Sequence, residues 1–76
     1  MNNIKKFHKA NGSAFNVGEI WYSISIKAKV EIILVEKFGN NKWDYEVYYK
    51  DEYENIYHKD AWNFQTRYQH QADLLI

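Results

Sequence analysis

From Ala28 to Lys50 apolar and polar positions alternate with a period of two, twice over, with a short polar break between the two runs. In the first run Val30, Ile32 and Leu34 fall on one side, and Lys29, Glu31, Ile33, Val35 and Lys37 on the other. In the second, Trp43, Tyr45, Val47 and Tyr49 share a side against Asp44, Glu46, Tyr48 and Lys50. An extended chain places alternate side chains on opposite faces, and β-branched and aromatic residues suit a pleated surface. The pattern predicts a hairpin with strands over residues 29–38 and 42–50. Gly39-Asn40-Asn41 supplies residue types that tolerate positive φ in a tight reversal. Because Ile33 and Val35 make the second side of the first run apolar as well, that strand is expected to be covered on both faces, as in a small barrel.

The flanking segments extend this meander. After Gly18, residues 19–26 alternate as a strand, with Ile20, Tyr22, Ile24 and Ile26 toward the core and Trp21, Ser23 and Ser25 opposite. On that phase Trp21 either closes the second side of a barrel or stands exposed as a contact residue. Asp51-Glu52-Tyr53-Glu54-Asn55 reads as an acidic turn, followed by a short strand over residues 55–59. Asp60 has the character of a helix N-cap. Ala61, Phe64 and Tyr68, spaced i, i+3, i+7 with Trp62 beside them, predict an amphipathic helix over residues 61–71. Residues 1–16 form a basic leader, in which Ile4, Phe7 and His8 have helical spacing and Asn11-Gly12 offers a stop; a short helix and a frayed arm fit equally. Residues 72–76 are an apolar tail that adds an edge strand or packs as a plug. The fold class is therefore α+β, a single domain with a strongly curved antiparallel sheet and a C-terminal helix.

Composition limits what such a domain can be. At 76 residues the chain is near the lower size for folding without a staple, and it has no cysteine for a disulfide or a thiolate metal site. Three Trp, seven Tyr and four Phe supply large apolar areas instead. No apolar run approaches the length of a membrane span and no secretion signal core is present, so a cytoplasmic protein without a membrane partner is expected.

Candidate chemistry is sparse. His8, His58 and His70 are far apart in sequence, and His58-Lys59-Asp60 lacks the longer His-x-Lys-x4-Asp spacing of phospholipases. His70 and Asp73 sit at i, i+3 and suit a helix-end pair. None of Ser13, Ser23, Ser25 and Thr66 lies in a Gly-rich nucleophile elbow. No loop is built to cradle phosphate. The expectation is a protein without enzymatic activity, metal or other cofactor.

Charge then points to surface. The net charge is zero, but residues 1–43 carry a balance of +4 and residues 44–76 a balance of −4. Asp44, Glu46, Asp51, Glu52 and Glu54 are interleaved with Tyr48, Tyr53 and Tyr57 on outward phases, with Trp21 beside them. Aromatics dominate protein–protein hot spots, and acids beside them suit a basic partner while repelling phosphate. These nine residues are the candidate partner-binding surface. A nucleic-acid-binding barrel using the same aromatics with Lys5, Lys6, Lys27 and Lys29 is the first alternative. A structural subunit, monomer or homodimer, pairing through Ile33, Val35 or Leu74-Leu75-Ile76 is the second.

The succession Gly18-Glu19-Ile20-Trp21, Val30-Glu31-Ile32-Ile33-Leu34-Val35, Trp43-Asp44-Tyr45-Glu46-Val47-Tyr48-Tyr49 and Ala61-Trp62-Asn63-Phe64 resembles the small SH3-like barrel proteins common among short bacteriophage products. The likeness spans residues 17–68 and is one of architecture. It implies a binding module that a phage uses to bind and block a host or defence protein in the host cytoplasm, and it transfers no site residue.

Overall fold

The structure is a computed structural model and describes residues 15–71. It contains a five-stranded antiparallel sheet and one short helix, in the order β1 (Ile20–Ser23), β2 (Lys29–Lys37), β3 (Tyr45–Asp51), β4 (Ile56–Asp60), α1 (Ala61–Arg67) and β5 (Tyr68–His70). The first four strands form a meander and β5 returns beside β1, giving the spatial order β4-β3-β2-β1-β5. β4 and β5 are the two edges and the sheet is not closed. The proposed helix at Ile4, Phe7 and His8, the leader lysines, Ser13, Asp73 and the tail over residues 72–76 lie outside the described residues, while His70, expected with Asp73 at a helix end, lies on strand β5.

The central hairpin forms as the alternation predicts on its return arm. Tyr45, Val47 and Tyr49 are buried, while Trp43 precedes β3 in the connecting turn and packs against the core. The outgoing arm departs from simple alternation. Ile32 pairs with Tyr49 and Leu34 with Tyr48, so Ile33 is an extra residue in a β-bulge. The bulge reverses the phase. Val30 and Ile32 are buried before it, Val35 packs on the core after it, and Leu34 turns out to 43% exposure. The apolar character of both faces thus has a local cause, an inserted residue, and does not by itself require a second packed layer.

β1 is shorter than expected and of opposite phase. Trp21 is buried, whereas Ile24 and Ile26 are exposed. Tyr22 already pairs with Lys29, so the chain must reverse between them. It does so through a turn closed by Ser23 N–H to Ala28 O and Lys27 N–H to Ser23 O, both 2.8 Å, with Lys27 at φ 62°. The leader also ends earlier than its assigned limit at residue 16, since Phe15 and Asn16 are both buried. In the β2–β3 connection neither Gly39, Asn40 nor Asn41 has positive φ. What Gly39 supplies there is room, because a Cβ would collide with the Asp44 side chain.

The helix starts where predicted. Asp60 is extended, and its Oδ1 accepts the Asn63 N–H at 2.8 Å. Ala61 and Phe64 are its buried residues. It stops at Arg67 rather than residue 71, because the free edge of β1 captures the next three residues: Ser23 pairs with Tyr68, Tyr22 with Gln69 and Trp21 with His70. The last turn is closed by Tyr68 N–H to Phe64 O and by Ile24 N–H to Arg67 O at 2.9 Å. Phe64 becomes the centre of the core, with ring centroids 5.7 Å from Phe15, 5.1 Å from Trp21, 5.0 Å from Tyr49 and 4.7 Å from Tyr68. Aromatic area thus does the stabilising work that cysteines or metals do in other small domains.

Candidate functional site

The nine residues expected to form one surface occupy five places. Trp21 belongs to the core, correcting its assignment as a contact residue. Its ring packs on Phe15 and Phe64, and Nε1–H donates to Glu19 Oε1 at 3.1 Å. The same carboxylate receives Asn16 N–H at 3.1 Å and lies 3.5 Å from His70 Nε2. Asp44 is held in the β2–β3 connection, where its Oδ2 accepts the Asn41 N–H at 3.1 Å and shapes the loop.

Asp51, Glu52, Tyr53 and Glu54 lie at the β3–β4 turn. Asp51 organises it: Oδ1 accepts N–H groups of Tyr53 (2.8 Å) and Asn55 (3.0 Å), and Oδ2 accepts Asn55 Nδ2 (3.2 Å) and the Tyr57 hydroxyl (3.1 Å). Burial pushes the Asp51 carboxyl upward, but the donations from Asn55, Tyr53 and Tyr57 outweigh it and hold it below the usual carboxylate range. The Tyr57 hydroxyl is raised in turn, first by its hydrogen bond to Asp51. Glu54, at φ 69°, pairs with Lys50 at 3.2 Å. A concavity of about 260 Å³ beside the turn is lined by Lys29 and Lys50 as well as by Asp51, Glu52 and Glu54, so the acids at the tip have cations near them. Tyr53 stands 82% exposed at its apex. Tyr57 projects to the core side of the sheet, where its ring stacks on Tyr49 at 5.7 Å.

Glu46 and Tyr48 alone of the nine lie together on the outer face of the sheet. The register brings them three neighbours that the sequence did not mark. One cross-strand row reads Leu34, Tyr48, His58, and the next reads Glu36, Glu46, Asp60. The His58 ring stacks on Tyr48 at 5.1 Å, and its Nδ1 lies 2.6 Å from Glu46 Oε2. The Tyr48 hydroxyl is raised above its ordinary value by burial, then by the charge of Glu36, a hydrogen bond to it, and the charge of Glu46. Ile56, 65% exposed, continues the apolar strip on β4. The alternation Ile56-Tyr57-His58 contained the signal for His58. Leu34 and Glu36 were hidden because the bulge moves them to this face.

Like charges directly opposite one another on a sheet are unfavourable. Glu36, Glu46 and Asp60 are so placed across three strands. Asp60 directs its carboxylate to the helix start. Glu36 and Glu46 face outward beside Leu34 and Tyr48, a half-buried apolar centre with a negative margin. Among the described residues no group of three or more His, Cys, Asp or Glu is arranged to hold a metal ion, and no helix is long and apolar enough to cross a membrane.

No family model, curated protein or solved structure gives a significant match to the chain.

Proposed function

We propose that this protein is a small binding module without enzymatic activity, and that its partner is a protein with a basic surface. The observation that carries this reading is the pair of adjacent rows on the outer sheet face. Leu34 and Tyr48 offer apolar area for a hot spot, and Glu36 and Glu46 supply a negative margin that costs stability in the free protein. A cationic partner side chain relieves that repulsion on binding. Phosphate backbones are repelled there, which disfavours nucleic acid on this face.

The narrower reading is a phage-encoded SH3-like barrel that binds and blocks a host or defence protein in the host cytoplasm. It is supported by the resemblance of residues 17–68 and by a meander whose fifth strand returns to the first. Affinity capture of the tagged protein from a bacterial lysate, with and without nuclease, tests both levels. A single protein recovered in near-equal amount after nuclease treatment supports the module and identifies its target; recovery abolished by nuclease overturns it.

A further inference from the structure

A second feature lies away from the acidic face, at the junction of the β1–β2 turn, the end of β4 and the end of α1. There Ser23, Ile24, Ser25, Lys59, Thr66, Arg67 and Tyr68 line an open concavity of about 420 Å³. That volume falls within the range of small-molecule sites, about 300–1,000 Å³. Its chemistry is unusual for this chain. Acids and bases are equal in number overall, yet the lining contains two cations, four hydroxyl groups and no carboxylate.

Neither cation is neutralised by a described residue. The ion pairs among the described residues are Lys50–Glu54, His58–Glu46 and His70–Glu19, and they leave Lys59 and Arg67 out. Among the described residues Arg67 Nη1 donates to the neutral Asn63 Oδ1, at 3.3 Å. Lys59 is partly buried at the end of β4. Two of the last helix carbonyls are turned to backbone partners, Phe64 O accepting from Tyr68 N–H and Arg67 O from Ile24 N–H. The Ser23 and Ser25 hydroxyls lie 3.3 Å apart, and Ile26 N–H donates to Ser23 Oγ at 3.4 Å.

We infer that this concavity binds the phosphate group of a small phosphate ester, with Lys59 and Arg67 as its charge partners and the Ser23, Ser25 and Thr66 hydroxyls as hydrogen-bonding groups. A planar guanidinium and a point-like ammonium both suit phosphate oxygens. Ile24 and the Tyr68 ring form the apolar part of the wall, against which the body of the ester rests. The site is independent of the protein-binding face, and either can exist without the other.

The test is a titration of the isotopically labelled full chain, followed by amide chemical shifts at constant ionic strength, with inorganic phosphate, ribose 5-phosphate, AMP and adenosine. Saturable shifts centred on Ile24, Thr66 and Tyr68 are expected for the three phosphates and not for adenosine. AMP tighter than ribose 5-phosphate places a base on Tyr68 and Ile24; equal binding assigns recognition to the phosphate alone. Lys59→Gln and Arg67→Gln, checked for a native spectrum, should each weaken binding about tenfold, while Lys50→Gln should leave it unchanged. The proposal is overturned if no phosphate gives saturable shifts, if adenosine binds as well as AMP, or if binding survives the paired Lys59 and Arg67 substitutions.

Discussion

His58 Nδ1 lies 2.6 Å from Glu46 Oε2 across two strands, and this contact joins the acidic row of the outer sheet face to its apolar row. The imidazole stacks on Tyr48 while it meets the carboxylate, so one residue touches both halves of the surface. Glu46 thereby has a partner and Glu36, directly opposite it on β2, is the neighbour that repels it.

That arrangement separates stability from binding. Glu36→Gln should raise the free energy of unfolding by about 0.2–1 kcal/mol, the range for cross-strand pairs, and should weaken capture of a basic partner. Thermal denaturation and capture of the same variant check the two effects. A variant less stable than wild type contradicts the cross-strand repulsion.

The β3–β4 turn should be sensitive to acid through Asp51. Its folded-state pKa is lowered, so its contribution is present above the ordinary carboxylate value and lost as pH falls through the folded value. Asp51→Asn should therefore lower the melting temperature at neutral pH, and the difference from wild type should shrink on acidification. A difference independent of pH points to some other cause.

The alkaline limb has the opposite sign. Tyr48, Tyr49 and Tyr57 are all raised from the ordinary value of 10.0, Tyr49 mainly by burial and then by its hydrogen bond with Tyr68. Groups that hold their protons more tightly when folded lose their stabilising contribution as pH rises. Stability should fall as pH passes the unfolded tyrosine value, and Tyr49→Phe should flatten that fall in denaturant titrations.

Aromatics divide into two classes by burial. Phe64→Ala should cost about 3–5 kcal/mol, as for other large-to-small changes in a core, which in so small a domain approaches complete unfolding. Tyr53→Ala, at 82% exposure, should leave the melting temperature nearly unchanged. Circular dichroism melts of both distinguish them, and equal losses contradict the packing described.

Gly18 has φ 95° with nothing within 4 Å of where a Cβ would stand. Gly18→Ala should cost about 1–2 kcal/mol through backbone conformation alone, visible as a lower denaturant midpoint with an unchanged slope.

Much of the scaffold was legible in the chain. The phase of the return arm, the Asp60 cap and the acidic turn follow from local rules of period, capping and turn chemistry, although the return strand begins at Tyr45 and leaves Trp43 in the turn before it. The departures come from long-range pairing. Tyr68–His70 has helical continuation in its sequence, yet the edge of β1 offers backbone partners that a pattern of spacings cannot contain. The Ile33 bulge likewise exists only in the register between β2 and β3, so Leu34 and Glu36 could not be assigned to the outer face beforehand. The expected phase of Trp21 rests on the isoleucines after it, but Ile24 and Ile26 belong to a turn. The outer face therefore joins Glu46 and Tyr48 to Leu34, Glu36 and His58, and the other seven of the nine expected residues lie elsewhere.

The most direct measurement is parallel capture from nuclease-treated bacterial lysate by the wild-type protein and by Glu46→Lys/Tyr48→Ser, with both shown to be folded. If the outer sheet face holds the partner, one protein is recovered with the wild type in near-equal amount and lost with the variant. Equal recovery by both proteins, or no recovery once nucleic acid is removed, would contradict a protein partner on that face.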